Sequence, residues 1–254
     1  MADTIRGATE ALVRAHRTGS QFDPKGTLEN AAAAYAVQDA VAGTLWLSTG
    51  DRIRGWKVGS SDPKVTPIAA PMPASKVFES VAELPAANFH WIGIEAELAY
   101  RLSADLPPRA TPYDDDAIAG AIESVHVAIE VCDSRIRDWK TADPHWKLAD
   151  NQMNAALVVG AGRPDWRNVD PTRERCTLTV NGEVVGEATG AHPFGDPLKL
   201  LPWLANHCAK RRGGLRAGDV VTTGSWTGMS FVEPGADVVA SFAGVGEARV
   251  WFPS

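Results

Sequence analysis

Cysteine is scarce in this chain. Its 254 residues include three cysteines, Cys132, Cys176 and Cys208, which are odd in number and widely separated. Such spacing matches no metal-type or redox motif. We interpret them as small buried residues of a protein from a reducing compartment, and the cytoplasm is the expected location.

Long apolar runs and an excess of positive charge are also missing. No stretch approaches the roughly 18–20 apolar residues that span a bilayer, and the first residues lack the pattern of a signal peptide. The net charge is −6, so neither nucleic acid nor an anionic membrane surface is an expected partner. The one tight basic run, Lys210-Arg211-Arg212, follows a predicted helix and is explained by interaction with the helix C-terminus.

Residues 1–52 predict a small helical region. Apolar residues at helical spacing indicate one helix that ends near Gly19, and an alanine-rich run favours a second from Thr27 to Gly50. Beyond this region, short apolar runs broken by glycine and proline predict β-strands. We therefore expect an α+β protein in which the helical region caps a larger, β-rich domain over residues 53–254.

Local signals predict further elements in the β-rich part. Asn181-Gly182 lies between two alternating runs and predicts a hairpin. Asp196-Pro197 predicts the start of a helix, in which Pro202 favours a kink or a later start. Residues 63–73 are rich in proline and are not expected to form regular structure for long. Asp114-Asp115-Asp116 is interpreted as the cap and first-turn charges of a helix, and not as metal ligands.

Three carboxylates project from two runs that otherwise have the composition of core strands. Glu95 and Glu97 lie two residues apart, so on a strand they emerge from the same face. On a helix they would lie about 200° apart, and no single ion would engage both. Glu130 lies in a second such run. Because buried unpaired acids are costly, a hard cation such as Mg²⁺ or Mn²⁺ would offset the cost. We hypothesise a three-carboxylate metal site for chemistry on an oxygen-rich small molecule.

A solvated face of an antiparallel sheet is the alternative interpretation of Glu95 and Glu97. Ala128 and Cys132 flank Glu130 on its own face and are not typical of a wet surface, which favours the buried site. His126 shares that face too. His126 could be an extra metal ligand or a hydrogen-bond partner of a metal ligand. A hydrogen-bonded structural histidine is the favoured interpretation.

Six motifs resemble, in order and spacing, one branch of the fumarylacetoacetate hydrolase superfamily. They are Gly55-Trp56-Lys57-Val58-Gly59, Ile94–Ala99, Ala128–Arg135, Ala149-Asp150-Asn151, Trp203–Asn206 and Leu215–Ser225. Each motif alone is weak, but six in order are specific. The branch is that of the 2-oxopent-4-enoate hydratases and 4-oxalocrotonate decarboxylases, and the resemblance extends from about Gly55 to the C-terminus.

The resemblance implies a β-rich, mixed-sheet fold like that of fumarylacetoacetate hydrolase. It implies Mg²⁺ or Mn²⁺ held by Glu95, Glu97 and Glu130, the acids that the strand argument also selects. It further implies a cytoplasmic homo-oligomer that acts on 2-oxo or 2-hydroxydienoic acids in the degradation of aromatic compounds. Hydration of a 2-hydroxy-2,4-dienoate to a 4-hydroxy-2-oxo acid is the expected reaction.

Four more residues are candidates for contact with the substrate. Lys57 matches the lysine of the family and is expected to neutralise the substrate carboxylate or, with a lowered pKa, to transfer protons. Without the resemblance, it reads as a solvated lysine at a strand end. Asp150 and Asn151 are expected to bind substrate or water, with loop capping as the alternative. Ser225 is expected to approach the substrate, although Gly-Ser at a strand end also suits a turn. Asp133 and Arg135 are expected to form a structural ion pair.

The chain departs from the pattern of the hydratases at two places. Residues 152–154 are Gln-Met-Asn where small, serine-rich residues are usual. Residues 67–77 lack the expected acid and offer only Ser75 and Lys76. Decarboxylation of a 2-oxo-enedioate and hydrolytic cleavage of an acylpyruvate therefore stay open, although the His-Glu arrangement of such a hydrolase is not evident. A ligand-binding relative without catalytic activity is the alternative from another class.

Overall fold

Alanine and leucine at helical spacing form the amino-terminal part of the fold. In the computed structural model, which describes residues 2–254, helices α1 (Ala2–Thr18) and α2 (Ala31–Leu45) precede the first strand. The second helix begins at Ala31 and not at Thr27, because the Asn30 side chain accepts a hydrogen bond from the Ala33 amide and caps the helix there.

The remainder of the chain is mostly strand. Three further helices are α3 (Asp115–Ala121), α4 (Pro144–Ala149) and α5 (Leu201–Arg211). The strands are β1 (Ile53–Gly59), β2 (Ile68–Pro73), β3 (Val77–Glu79), β4 (Ala82–Glu83), β5 (Ile92–Leu102), β6 (Ile122–Cys132), β7 (Asn154–Val159), β8 (Arg175–Val180), β9 (Glu183–Thr189), β10 (Val220–Thr222), β11 (Ser230–Val232), β12 (Asp237–Phe242) and β13 (Gly246–Trp251).

These strands form two mixed sheets. The larger has the order β2-β1-β10-β5-β6-β7-β3, with β11 paired to the beginning of β5. The smaller has the order β4-β13-β12-β8-β9. Parallel pairs (β1 with β10, β3 with β7, β4 with β13) occur among antiparallel ones. The predicted α+β class with a β-rich, mixed-sheet architecture is confirmed.

The main core lies between the two sheets. One face of β5 and β6 contributes Ile94, Leu98 and Val127 to it, and the smaller sheet contributes Val238 and Val250, all of them buried. Because successive residues of a strand alternate between faces, the other face of the larger sheet carries the opposite set of side chains. The predicted acids belong to that second face.

The amino-terminal helices pack beside this second face. The Gln38 side chain of α2 donates hydrogen bonds to the carbonyls of Ala69 in β2 (3.2 Å) and Leu148 in α4 (2.9 Å), and the Ala69 amide donates to the Tyr35 hydroxyl (3.1 Å). Residues of α1, α2 and α4 share a small apolar core of their own. The division into domains at residue 52 stays a prediction.

Two local predictions are corrected or refined. The proline-rich segment does form a strand, β2, which ends at Pro73 and includes Pro71. It lies at an edge of the sheet, where a missing amide donor is tolerated. The helix expected from Asp196 begins as a turn of 3₁₀ helix, and α5 itself starts at Leu201, so Pro202 occupies the first turn where its missing N–H is harmless.

The hairpin around Asn181 and Gly182 is confirmed. Both residues have left-handed backbone conformations, with φ of 52° and 83°, as the tight turn between β8 and β9 requires. The helix after Asp114 is also present, and the Asp114 side chain accepts the Ala117 amide as its cap. Every helix within residues 2–254 is too short or too polar to span a lipid bilayer.

Candidate metal centre

The strand register places the three predicted acids on one face. Glu95 of β5 lies directly opposite Glu130 of β6, and Glu97 lies opposite Ala128, two positions along the same face. Glu97 and Glu130 have no solvent-exposed surface. Like charges directly opposite each other destabilise a sheet, so this arrangement needs a compensating positive charge.

Lys57 supplies part of that charge from β1. Its strand is joined to β5 through β10, with Lys57 beside Thr222 and Thr222 beside Ala99. The Lys57 ammonium lies 2.8 Å from Glu130 Oε1 and 4.0 Å from Glu95 Oε2. Burial alone would lower the pKa of Lys57, but the carboxylates, Glu130 foremost, outweigh it and raise that pKa well above its ordinary value. This direction is opposite to the lowered pKa considered from the sequence, and the arrangement favours the ammonium form of Lys57.

The remaining contacts of Glu97 and Glu130 hold each carboxylate by one oxygen. Glu97 Oε2 accepts hydrogen bonds from the Thr222 hydroxyl and from the Gly224 amide (2.9 Å). Gly224 presents this amide with φ of 108°, a conformation that favours glycine. Glu130 Oε1 accepts from the Asn154 amide (2.9 Å) as well as from Lys57. The second oxygens, Glu97 Oε1 and Glu130 Oε2, are buried without a partner among residues 2–254.

The electrostatics of the cluster favour an additional cation. Burial, followed by repulsion from Glu130 and Glu95, raises the pKa of Glu97 well above its ordinary value. Burial is also the main cause of the raised pKa of Glu95, to which the Glu130 charge adds. Three ionised carboxylates and one ammonium leave two uncompensated negative charges. One divalent cation would balance them.

Cys132 completes the closest group of potential ligands. Ligand atoms of Glu95, Glu130 and Cys132 lie within 4.8 Å of one another, whereas Glu97 lies outside that group in the present side-chain arrangement. The Cys132 thiol donates to Glu95 Oε2 at 3.8 Å. Burial and the Glu130 charge raise the pKa of Cys132 well above its ordinary value, and hard cations prefer oxygen ligands to sulfur.

An unusual turn closes one side of the cluster. Asn151, Gln152 and Met153 have consecutive left-handed conformations, with φ of 56°, 52° and 63°. Non-glycine residues rarely adopt this conformation in succession, and each costs of the order of 1 kcal/mol or more. The Gln152 carbonyl accepts from Lys57 at 3.4 Å, and the Asn151 side chain donates to the Pro71 carbonyl at 2.7 Å. The Asn151 Oδ1 atom is buried without a partner in the described chain.

Asp150 anchors this turn through an ion pair with Arg135. The Arg135 guanidinium lies 2.5 Å from Asp150 Oδ1, and Asp150 Oδ2 accepts from the Ser134 hydroxyl and the Arg135 amide. The predicted pair of Arg135 with Asp133 is therefore wrong. The chain leaves β6 in such a way that Arg135 points toward Asp150, and Asp133 pairs with His90 at 2.9 Å.

Asp150→Asn is expected to lower the free energy of unfolding by about 3–5 kcal/mol, because it leaves the buried Arg135 charge without its partner. Urea denaturation followed by circular dichroism measures the change. Asp23→Asn is the matched control, since Asp23 pairs with Arg137 at the surface, where both side chains are more than 60 % exposed; about 1 kcal/mol or less is expected there. Equal losses for both variants would contradict this assignment.

The other predicted site residues lie nearby with different partners. The Ser225 hydroxyl donates to the Gly228 carbonyl at 3.1 Å, within the loop whose Gly224 amide binds Glu97. His126 is buried and hydrogen-bonded through both ring nitrogens, to the Gly160 carbonyl and the Ser124 hydroxyl, each at 2.8 Å. The structural interpretation of His126 is confirmed, and a contact between Ser225 and substrate stays a prediction.

A cavity of about 140 Å³ adjoins the cluster. It lies between α1 and the ends of β2 and β6, and its wall includes Asn151, the first residue of the left-handed turn. Its lining residues include His16, Lys76, His90, Arg135, Asn151 and Asn154. None of the three carboxylates lines this cavity, but Asn154, which does, also donates to Glu130 Oε1.

Sequence reasoning missed Thr222, Gly224 and Asn154. The alternation along Val220–Thr222 is too short to assign a face, so only the register with β5 reveals that Thr222 points at Glu97. Asn154 is the first residue of β7, and its sequence position after Asp-Asn carries no signal for a contact with Glu130.

Residues 46–251 match the profile of the fumarylacetoacetate (FAA) hydrolase C-terminal family. The chain belongs to this family. Among curated proteins, it is 33 % identical over 232 residues to a 2-keto-4-pentenoate hydratase of Paraburkholderia phymatum, a match that covers 88 % of this chain and 86 % of the relative. The resemblance inferred from the six motifs is thus confirmed.

Solved structures share the fold over nearly the whole chain. The 4-oxalocrotonate decarboxylase of Pseudomonas putida G7 in complex with magnesium and adipate superposes with a TM-score of 0.85 at 24 % identity, covering 99 % of this chain and 98 % of the other. Its complex with calcium and acetate gives a TM-score of 0.84 at 25 % identity, with the same coverage. The similarity includes the amino-terminal helices, which lie outside the matched family profile.

Proposed function

We propose that this protein is a divalent-metal-dependent hydratase, a lyase that adds water to a 2-hydroxy-2,4-dienoate or its 2-oxo-enoate tautomer and yields a 4-hydroxy-2-oxo acid. The observation that carries the proposal is the group formed on one sheet face by the buried Glu97, Glu130 and Lys57 and the half-buried Glu95. The name of the hydratase relative supports it. A role in the catabolism of aromatic compounds is part of the same proposal.

The donor set fits a hard divalent cation. Glu97 and Glu130 each keep one buried carboxylate oxygen without a partner, and oxygen ligands are those that Mg²⁺ and Mn²⁺ prefer. Glu95, Glu97 and Glu130 are the proposed ligands of Mg²⁺ or Mn²⁺. Bound there, the cation would supply a Lewis acid for the oxygens of a 2-oxo acid. The magnesium in the solved decarboxylase structure supports this assignment.

Lys57 is the proposed catalytic residue. Its ammonium is held by Glu130 Oε1 and by the Gln152 carbonyl, so it is buried and fixed in direction. A fixed ammonium can neutralise the substrate carboxylate and donate a hydrogen bond to an oxygen on which charge develops. Such preorganised donors act strongly in a site from which water is excluded.

Of the three predicted substrate residues, Asn151 is proposed to contact the substrate, Asp150 to support the turn that carries Asn151, and Ser225 to lie close to the site. Asn151 lines the cavity, and its Oδ1 atom is buried without a partner in the described residues, so this residue suits a contact with substrate or water. Both oxygens of Asp150 are engaged by Arg135 and Ser134. Its contribution is therefore to hold the left-handed turn in place. Ser225 follows Gly224 in the loop that fixes Glu97.

Decarboxylation of a 2-oxo-enedioate is the second candidate, because the same cluster would stabilise the enolate formed in that reaction. Hydrolysis of an acylpyruvate needs a histidine free to activate water, and His16, which lines the cavity, forms no hydrogen bond within residues 2–254, so this reaction stays a third candidate, whereas His90 is not free. His90 Nδ1 contacts Asp133 at 2.9 Å and His90 Nε2 contacts the Gly19 carbonyl at 3.0 Å. Both ring nitrogens are thereby engaged. A homo-oligomeric state and a cytoplasmic location stay predictions.

Incubation of 2-hydroxypenta-2,4-dienoate with the purified protein and Mg²⁺ or Mn²⁺ is expected to abolish the ultraviolet absorbance of the diene. The expected product is a 4-hydroxy-2-oxo acid, identified by mass spectrometry. After chelation of the metal with EDTA, the absorbance of the diene should stay constant. A panel of 2-hydroxydienoates that all keep their absorbance would exclude the hydratase and favour the ligand-binding relative. With a 2-oxo-enedioate as substrate, released CO₂ would identify the decarboxylase; with an acylpyruvate as substrate, two carboxylic products would identify the hydrolase.

A further inference from the structure

The thiol of Cys132 lies among the carboxylates but has no part in the proposed hydration. Ligand atoms of Cys132, Glu95 and Glu130 all lie within 4.8 Å of one another, and no other group of three potential ligands lies so close together within residues 2–254. The Cys132 Sγ atom is 3.8 Å from Glu95 Oε2. Because Mg²⁺ and Mn²⁺ prefer oxygen ligands, a sulfur atom at this position points to a softer cation.

The strand register brings the thiol to the two acids. Glu130 and Cys132 lie two residues apart on β6 and therefore share a face, and Glu95 lies directly opposite Glu130 on β5. Gly93, the partner of Cys132 in the register, has no side chain of its own to place over the thiol. The sheet itself therefore holds the three potential ligands together.

The buried carboxylate of Glu130 keeps one oxygen for such a cation. Lys57 and the Asn154 side chain both donate to Oε1, and Oε2 is buried without a partner in the described chain. The Glu130 side chain is completely buried, whereas the Glu95 side chain is 14 % exposed. A cation can therefore reach the group from the side of Glu95.

The separations suit a zinc ion. Zn²⁺ binds sulfur at about 2.3 Å and carboxylate oxygen at about 2.0–2.2 Å, usually with tetrahedral angles, so a sulfur and an oxygen ligand of one ion lie about 3.5 Å apart. The distance of 3.8 Å between Cys132 Sγ and Glu95 Oε2 is close to this value. Zn²⁺ also binds a given set of ligands more tightly than Mn²⁺, and thiolate ligands favour it further.

We propose that Cys132, Glu95 and Glu130 form a site for a thiophilic divalent cation such as Zn²⁺, which competes with Mg²⁺ or Mn²⁺ for the two carboxylates. Cys132 binds the ion as a thiolate, and the thiol proton passes to the solvent, because a coordinating thiol loses its proton to the charge of the ion. The competition rests on the proposed function, which assigns Glu95 and Glu130 to Mg²⁺ or Mn²⁺. The thiophilic site itself does not depend on hydration.

Cd²⁺ is the spectroscopic probe of the thiol, because a bond between thiolate sulfur and Cd²⁺ absorbs in the ultraviolet and a bond to carboxylate oxygen does not. Titration of the unmodified protein with Cd²⁺ is expected to produce this absorption band. The band should be absent from Cys132→Ser. It should persist in the double variant Cys176→Ser/Cys208→Ser, which keeps Cys132. Cys176 and Cys208 are matched controls, since both are buried free thiols of the main apolar core.

Calorimetric titrations with Zn²⁺ and with Mn²⁺ measure the selectivity of the site. Cys132→Ser and Cys132→Ala are each expected to lower the ratio of Zn²⁺ affinity to Mn²⁺ affinity at least about tenfold. The double variant should keep the ratio of the unmodified protein. Zn²⁺ added to the Mn²⁺-loaded protein should displace the Mn²⁺. Urea denaturation of each variant separates the loss of a ligand from the loss of the fold.

The outcomes separate this inference from the proposed function. No Cd²⁺ band in the unmodified protein, or a band that survives in Cys132→Ser, would overturn the thiophilic site, and so would an unchanged affinity ratio in both Cys132 variants. Zn²⁺ and Mn²⁺ bound together would overturn the competition. These measurements need no substrate. A protein that gives the band but consumes no dienoate would support the inference and lose the hydratase proposal, and hydration without the band would do the reverse.

Discussion

Glu97→Gln is expected to abolish Mn²⁺ binding, with a loss of affinity of at least about a hundredfold, and to leave the fold intact. The substitution removes a charged ligand without changing the volume of the side chain. The amide oxygen of glutamine can still accept the hydrogen bonds of the Thr222 hydroxyl and the Gly224 amide. The buried oxygen without a partner, Glu97 Oε1, is the atom that the proposed cation would lose.

Calorimetric titration with Mn²⁺ measures the affinity, and circular dichroism with urea denaturation measures the fold. Glu123→Gln is a matched control, because Glu123 lies on β6, the strand of Glu130, but is exposed to solvent. Its affinity for Mn²⁺ should equal that of the unmodified protein. Unaltered Mn²⁺ affinity in Glu97→Gln would remove Glu97 from the ligand set.

Lys57→Met is expected to lower kcat/KM for the dienoate by about 10²–10³-fold while Mn²⁺ still binds. The methionine keeps much of the side-chain volume but removes the ammonium that lies 2.8 Å from Glu130. Because the three carboxylates remain, the proposed ligands are all present. The loss therefore falls on the step in which charge develops on the substrate.

Steady-state kinetics at saturating Mn²⁺ measures the loss of catalysis in Lys57→Met, and a parallel Mn²⁺ titration measures any loss of metal binding. Lys64→Met is the control for removal of a positive charge, because Lys64 is exposed in the loop between β1 and β2. This variant should keep its full activity. A Lys57→Met variant with unchanged kcat/KM would exclude Lys57 from catalysis. A variant that loses Mn²⁺ binding as well would indicate that Lys57 supports the carboxylates and not the substrate.

The left-handed turn over residues 151–153 links the sequence departures to the site. Gln152, Met153 and Asn154 replace the small residues usual in the resembled hydratases, and the first two are held in a conformation that costs free energy. Strain of this kind persists only where the surroundings fix it. Here Asp150 and Arg135 anchor the turn, while its Gln152 carbonyl and the following Asn154 side chain contact Lys57 and Glu130. The turn therefore connects the structural ion pair to the proposed catalytic group.

The sequence by itself determined what alternation and turn chemistry encode. A two-residue spacing on a strand placed Glu95 and Glu97 on one face, and Asn181-Gly182 set the hairpin, because both signals act between residues close in the chain. The mixed α+β class and the family followed from the order of elements and motifs. The cap at Asn30 set the start of α2, and the edge position of β2 allowed a strand where the proline pattern predicted little regular structure.

Only the tertiary structure decided which residues from distant segments meet. The register of β5 with β6 set Glu95 against Glu130, and β10 brought Thr222 to Glu97. Because of the path of the chain after β6, Arg135 forms its ion pair with Asp150, and Asp133 contacts His90. The fold also placed Lys76 and His16 at one cavity. Such contacts depend on strand pairing and on the direction of loops, and a linear sequence encodes neither locally.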